Sequence, residues 1–235
     1  MVKNRFLLKL SGEALSNNSG KLYSNEALDD LALQIKEALK HGVQLCLVCG
    51  GGNIYRGKTG EELGVNRKTG DSMGMLATII NALAVSNALT KAGVENEIYT
   101  AFPVGEIARV FNSRDAIASL NQGKVVIFGG GTSHPYFSTD TCSALRALEC
   151  ECEEILVAKN GVDGVYSADP KKDKNAVRYD EISYQEILEK GLQVMDLTAI
   201  SLCKDNNMGL MVFNMNEKNN ILNACLKKVK GTKVR

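Results

Sequence analysis

The chain has 235 residues, 44% of them hydrophobic, with 22 Gly, 3 Pro and no Trp. That length buries a large α/β core, while a formal charge of +1 supplies no field to draw in nucleic acid or an anionic membrane. Scarce aromatics argue against a base-stacking groove, and seven cysteines scattered through apolar runs read as reduced, buried thiols of a cytoplasmic protein.

From the N-terminus, Met1 to Arg5 leads straight into an apolar run, and no signal peptide is predicted. That run, Phe6 to Leu10, breaks at Ser11-Gly12. Two others behave alike: Leu45 to Cys49 ahead of Gly50-Gly51-Gly52-Asn53, and Val125 to Phe128 ahead of Gly129-Gly130-Gly131-Thr132. Runs of this kind predict fully buried strands of a parallel sheet. Open α/β sheets bind ligands outside the carboxyl ends of their strands. Glycine there lets backbone N–H groups approach an anion, most often phosphate. Three such turns point to more than one phosphate group. Lys9 adds a fixed charge at the first strand end, a costly placement unless it meets an anion.

Between the first two strands, Asn17 to Lys21 reads as a polar turn. Ser24 caps a helix whose Leu28, Leu31, Ile35 and Leu39 recur at helical spacing and which ends at His41-Gly42. The second strand covers Gln44 to Cys49. A glycine-bearing loop then leads to Asp71, the predicted N-cap of a long apolar helix. The nineteen uncharged residues Ser72 to Thr90 approach a bilayer's span. Thr78, Asn81, Ser86 and Asn87 interrupt them, so the stretch reads as a helix buried in the protein or at a subunit contact. A short strand at Glu97 to Thr100, a helix at Ser113 to Leu120, a strand at Lys124 to Phe128 and a helix from Thr139-Asp140 follow.

After a strand at Glu154 to Val157 the texture turns loop-rich, with Gly161 to Gly164, Ser167 to Pro170 and the charged loop Lys171 to Lys174. Ser183 and Glu186 form a capping box, Asp196 caps another helix, and Leu210 to Asn214 is a late strand. The expected fold is α/β, a mostly parallel central sheet sandwiched by helices in three layers. It forms a single domain over 1–235, with one lobe at about 1–150 and another at about 151–235. The active site is expected across their junction.

The loudest motif is a decoy. Gly52 to Thr59 matches the P-loop pattern after a strand. A P-loop needs a helix to begin at Lys58-Thr59, and Gly60, Gly64, Val65 and Asn66 are poor helix chemistry. No apolar strand ends in an aspartate to hold magnesium in the Walker-B manner. Cys46 and Cys49, three apart on a strand, face opposite ways and cannot share a metal. Cys150 and Cys152 could share a face, but two histidines leave too few partners to complete a site. His41 reads as a helix-terminal residue and His134, in the third glycine turn, as a solvated turn residue or a ligand contact, neither with a serine partner suited to hydrolysis. The basic stretch Lys227 to Arg235 lacks interleaved aromatics and reads as a solvated end. Asp71, Asp140, Asp169 and Asp196 each stand at a turn or helix start, where an N-cap is the plain reading. Together they offer acids for ribose hydroxyls, for magnesium and for orienting Lys9.

These residues also carry a resemblance. Lys9-Leu10-Ser11-Gly12-Glu13, Gly50 to Asn53 with Arg56-Gly57, and Gly70-Asp71 through Ala77 resemble the amino-acid-kinase superfamily. So do Gly130 to Thr132 through Phe137 to Asp140, Val162 to Tyr166 with Ala168-Asp169-Pro170, and Val194 to Leu197. Within it, the first and third segments resemble the bacterial uridylate (UMP) kinases, and the match runs in order from Lys9 to Gly231-Thr232. The resemblance implies transfer of the ATP γ-phosphoryl group to UMP, giving UDP and ADP for pyrimidine nucleotide biosynthesis. It implies that Lys9, Leu10, Ser11, Gly12, Gly52 and Arg56 hold ATP phosphates, with Asn160, Tyr166 and Asp169 at the adenosine end. Gly51, Asp71 and the segment Thr132, Ser133, His134, Pro135, Tyr136, Phe137, Ser138 and Thr139 would cradle UMP, Asp71 accepting from ribose hydroxyls. Lys9, Asp140 and Asp196 would be the catalytic group, and Lys159 a second cation at the transferring group.

The resemblance further implies Mg²⁺ held mainly by nucleotide phosphates, a homohexamer, GTP as activator, UTP as inhibitor and a cytoplasmic location. No nucleic-acid or membrane partner is expected. Ser133-His134 departs from the family pattern of glycine followed by a small or amide residue. Phe111 to Asp115 lacks the family's basic cluster, which bears on regulation and subunit contacts. The alternatives are another small-molecule kinase of this fold, or a non-catalytic nucleotide- or oxyanion-binding member. A pure binder has no need of Lys9 at the transfer point.

Overall fold

A computed structural model describes residues 4–16, 21–56, 60, 62–170 and 172–235. The first strand, β1 (Arg5–Leu10), shows why the core has two halves. Successive side chains of a strand point to opposite faces. Leu7 accordingly enters one apolar cluster, while Phe6, Leu8 and Leu10 enter the other. All four are fully buried. The uninterrupted apolar runs are thus what a sheet covered on both sides demands.

The other strands are β2 (Gln44–Cys49), β3 (Asn96–Thr100), β4 (Arg109–Val110), β5 (Val125–Gly129), β6 (Glu154–Lys159), β7 (Val165–Tyr166), β8 (Arg178–Tyr179), β9 (Glu181–Ile182), β10 (Gly209–Asn214) and β11 (Thr232–Val234). Of the eleven, nine form one sheet in the order β4-β3-β5-β2-β1-β6-β10-β11-β9, and β7 and β8 form a separate hairpin. Within the large sheet only β10 and β11 run antiparallel. Strand β1 pairs in parallel with both β2 and β6, so the chain crosses to the other side of β1 after β5. Ligands bind at such a reversal in open α/β sheets.

Helices α1 (Asn25–Lys40), α2 (Arg67–Lys91) and α7 (Asn220–Cys225) contribute to the cluster on one face. Helices α3 (Ser113–Asn121), α4 (Thr139–Glu149), α5 (Tyr184–Lys190) and α6 (Leu197–Asp205) contribute to the cluster on the other. The predicted three-layer, mostly parallel α/β fold is therefore observed.

The caps account for most helix boundaries. Ser24, Ser183 and Asp196 accept from the third residue beyond, and Ser183 with Glu186 completes a capping box. Asp71 does not cap α2. Asn66 does, its side chain accepting from Thr69 N at 3.0 Å, so the helix starts earlier and Asp71 lies inside it. Helix α2 is long and apolar enough to cross a membrane by composition. Here it packs along the sheet with the polar Asn81 wholly buried, as a core helix. Residues Gly57 to Thr59 of the P-loop match, the Lys171 end of the charged loop and the turn at 17–20 fall outside the described residues.

All seven cysteines are buried and unbridged. Cys46 and Cys49 belong to opposite faces of the sheet. Burial pushes the thiols of Cys49, Cys203 and Cys225 up to about 12, so they remain protonated at neutral pH and act as small apolar side chains.

Candidate active site

The glycine turns after β1, β2 and β5 meet at one end of the sheet, and α2 supports two of them from behind. Asn81 donates to Gly50 O at 2.7 Å and to Asn53 Oδ1 at 2.8 Å, and accepts from Tyr23 Oη at 2.9 Å. Thr78, one turn earlier, accepts from Gly130 N at 2.9 Å and donates to Met75 O at 2.7 Å. The first two turns are joined by Gly50 N donating to Leu10 O at 2.9 Å. Leu10 itself is a core residue, so only its backbone faces the site. Replacing Asn81 with leucine is expected to lower stability by about 2 kcal/mol, because Gly50 O and Tyr23 lose their partner. A denaturant titration measures it, and an unchanged midpoint would contradict this role.

At Gly51 the backbone passes so near α2 that a β-carbon would lie 2.8 Å from Ala77 Cβ and 2.8 Å from Gly74 O. Only glycine fits that approach.

Lys9 leaves β1 toward this end, and its ammonium lies 2.6 Å from Asp140 Oδ1, with both side chains mostly buried. Asp140 belongs to the first turn of α4, capped by Ser138, whose Oγ accepts from Asp140 N and Thr141 N. The other Asp140 oxygen accepts from Asp196 N at 3.3 Å. Asp196 in turn takes hydrogen bonds from Ser138 Oγ, Thr141 Oγ1 and Ala199 N. The predicted trio Lys9, Asp140 and Asp196 is thus one connected network. Every carboxylate oxygen in it already has a donor, and no group of three or more His, Cys, Asp or Glu among the described residues could hold a metal.

Two cavities matter here: Asp196 lines the first, and Lys159, whose ammonium feels the Lys9 and Asp140 charges, lines the second. One, of about 590 Å³, is lined by Gly51, Gly52, Asp71, Asp196 and residues 136–139. Of the predicted segment 132–139, Tyr136, Phe137, Ser138 and Thr139 face it, while Thr132, Ser133, His134 and Pro135 do not. They form a turn in which His134 Nδ1 lies 3.0 Å from Thr132 O and 3.1 Å from Ser133 Oγ. His134 is exposed, as a turn histidine would be. Asp71 receives Arg67 Nε at 2.9 Å and Tyr136 N at 2.7 Å. Arg67, Met75, Thr78 and Thr141 also line this cavity. Spacing alone does not mark them, since each sits mid-helix or at a helix start among ordinary neighbours.

The second cavity, about 460 Å³, is lined by Lys159, Tyr166, Asp169, Leu192 and Val194 among others. Tyr166 Oη donates to Asp163 at 2.6 Å, and that bond, with Arg178 beside it, holds the Asp163 carboxyl below its usual range. Asn160 is not part of its wall and accepts from Asn216 at 2.6 Å. Arg56 turns to Gly52 O and to Glu13. Lys159 donates to Val194 O at 2.6 Å, and burial, reinforced by the Lys9 charge and opposed by Asp140, pushes its ammonium below the ordinary lysine range. Two cavities, one reached by Asp196 and the other by Lys159, suit two ligands reacting with each other.

The profile described as Amino acid kinase family matches residues 4–214. The chain belongs to the amino acid kinase family. Among solved structures, a UMP kinase from Ureaplasma parvum is 41% identical with TM-score 0.95, covering 100% of this chain and 99% of that one. A UMP kinase from Bacillus anthracis is 38% identical with TM-score 0.95, covering 99% and 96%. A uridylate kinase from Archaeoglobus fulgidus is 30% identical with TM-score 0.75, covering 98% and 99%. The family places a kinase's phosphoryl-transfer chemistry on this sheet, which agrees with three glycine turns around one lysine.

Proposed function

We propose that the chain is a UMP kinase, transferring the ATP γ-phosphoryl group to UMP to give UDP and ADP. The observation that carries this reading is the Lys9–Asp140–Asp196 network, with Asp196 lining one cavity and the neighbouring Lys159 lining the other, in a chain 41% identical over its full length to a UMP kinase structure. The cavity with Asp71 and residues 136–139 would take UMP, with Gly51 at the phosphate end. The cavity with Tyr166 and Asp169 would take the adenosine of ATP, its phosphates reaching Gly12, Gly52 and Lys9. Arg56 would release Glu13 to meet a phosphate, and Asn160 would turn from Asn216 toward the nucleotide.

The attacking oxygen belongs to the UMP phosphate, whose second ionisation lies near pH 6. It is nucleophilic at neutral pH without a general base. The barrier is the approach of two anions in line, so positioning and charge neutralisation carry the catalysis. Lys9 places an ammonium at the transfer point, and Asp140 fixes where that ammonium sits. Lys159 supplies a second charge from the ATP side. Mg²⁺ would arrive on the nucleotide phosphates and neutralise them. The engaged oxygens of Asp140 and Asp196 fit that arrangement better than direct ligation.

The same reading includes a homohexamer and a cytoplasmic location. Met73, Leu76, Ile80 and Leu83 form an exposed apolar stripe along α2 at helical spacing, suited to a helix of a second copy. UTP would inhibit by placing its uridine in the UMP cavity, and GTP activation belongs to the assembled form. Coupled measurement of ADP release against UMP, CMP, an acyl amino acid and isopentenyl phosphate tests the assignment. UMP should be preferred, with kcat/KM falling about tenfold per pH unit below about pH 6 as the acceptor protonates. ATP binding with no ADP release for any acceptor would favour the non-catalytic alternative.

A further inference from the structure

Arg67 breaks two local rules at once. It is the first residue of α2, where the unpaired amide groups repel a cation. It also precedes Asp71 by four residues, with the cation N-terminal to the anion, the order that helps a helix least. Its Nε nevertheless lies 2.9 Å from both Asp71 oxygens. Asp71 Oδ2 also accepts from Tyr136 N at 2.7 Å. Tyr136 holds a φ of +73°, a left-handed conformation unusual for a residue with a β-carbon. The Arg67 guanidinium carbon stands 5.7 Å from the centre of the Tyr136 ring, within cation–π range. All three residues line the cavity assigned to the acceptor. They tie the start of α2 to the loop after β5, across 65 residues of chain. Local rules broken together are expected where function has set the residue.

We propose that Arg67 is a positioning residue for the acceptor nucleotide. It fixes the Asp71 carboxylate, and through it the left-handed Tyr136 peptide, in the geometry that receives the ribose. The proposal rests on the UMP kinase reading. A carboxylate has about four lone-pair directions. Arg67 and Tyr136 N occupy three, two on Oδ2 and one on Oδ1, which leaves Oδ1 able to accept from a ribose hydroxyl. The guanidinium also offsets the carboxylate's charge beside an incoming phosphate dianion. Without Arg67, Asp71 keeps its charge but loses its fixed direction, and the Tyr136 peptide loses the acceptor that stabilises its conformation.

The test uses Arg67→Gln, Arg67→Lys, Asp71→Asn and the Arg67→Gln/Asp71→Asn double variant in the full chain. Arg67→Gln is expected to raise KM for UMP about tenfold, the loss of one charge-assisted hydrogen bond. Its kcat should fall less than about threefold, and KM for ATP should stay within about twofold. Arg67→Lys should recover part of the loss. In the Asp71→Asn background, Arg67→Gln should add little further change in KM for UMP. An unchanged KM for UMP, an equal rise for both substrates, or full multiplication of the two single effects would overturn the proposal. So would a Gln variant no weaker for UMP than the Lys variant. Absence of UMP-dependent ADP formation in the wild type would instead overturn the kinase reading, and this proposal with it.

Discussion

Replacing Lys9 with alanine is expected to lower kcat by about 10²-fold or more while the chain remains folded, the loss typical of a removed transition-state donor. The packing of β1 is carried by Phe6, Leu7, Leu8 and Leu10, each fully buried, and its ladder to β2 and β6 is made by the backbone. The side chain of Lys9 adds little to either. What it adds is a charge held 2.6 Å from Asp140, at the proposed transfer point. Its removal leaves Asp140 with Asp196 N as its remaining hydrogen-bond donor among the described residues, so a modest fall in melting temperature is also expected. Lys9→Met keeps the stem but not the charge, so turnover and the stability owed to the Lys9–Asp140 pair should both stay low. Steady-state kinetics with UMP, alongside thermal melts, decide the matter. A folded Lys9→Ala protein with near-normal kcat would remove Lys9 from the mechanism.

How much of this was legible in the chain depended on how local the signal was. The buried strands announced themselves because a two-sided sheet forces apolar residues onto successive positions, as Phe6 to Leu8 show. The capping box at Ser183 and Glu186 was equally plain, since both halves of it lie within one turn. Asp71 misled because any acidic residue before an apolar run looks like a cap. Asn66, five residues earlier, is the cap, and Asp71 is free to reach Tyr136 instead. Asn81 and Thr78 read only as interruptions of an apolar helix. Their meaning lies in Gly50 and Gly130, which are distant in the chain and near only after folding. The left-handed Ser133 and Tyr136 carried no glycine to mark them. Residues 132–135 looked continuous with 136–139, yet that backbone turns the earlier four away from the cavity.

Gly12→Ala is expected to lower kcat/KM for ATP on the order of 10²-fold, through geometry alone. A β-carbon built there lies 2.2 Å from Asn53 Oδ1 and 2.5 Å from Gly50 O, both far inside contact distance. Asn53 could swing aside, although it would give up hydrogen bonds to Leu22 O and Asn81. Gly50 O cannot move alone, because it accepts from Asn81 and its own N–H is bonded to Leu10 O. The first two glycine turns must therefore part by a large fraction of an ångström. A displacement of about 1 Å at groups that align reacting phosphates costs about a hundredfold in rate. The expected result is a folded protein with a lowered melting temperature, weakened ATP use and a smaller change in UMP affinity, read by kinetics against each substrate and by equilibrium UMP binding. Should Gly12→Ala turn over at the wild-type rate with ATP affinity intact, the close contact of the two turns would have no part in holding the donor. The phosphates would then have to be gripped from the β6 side, by Lys159 and its neighbours.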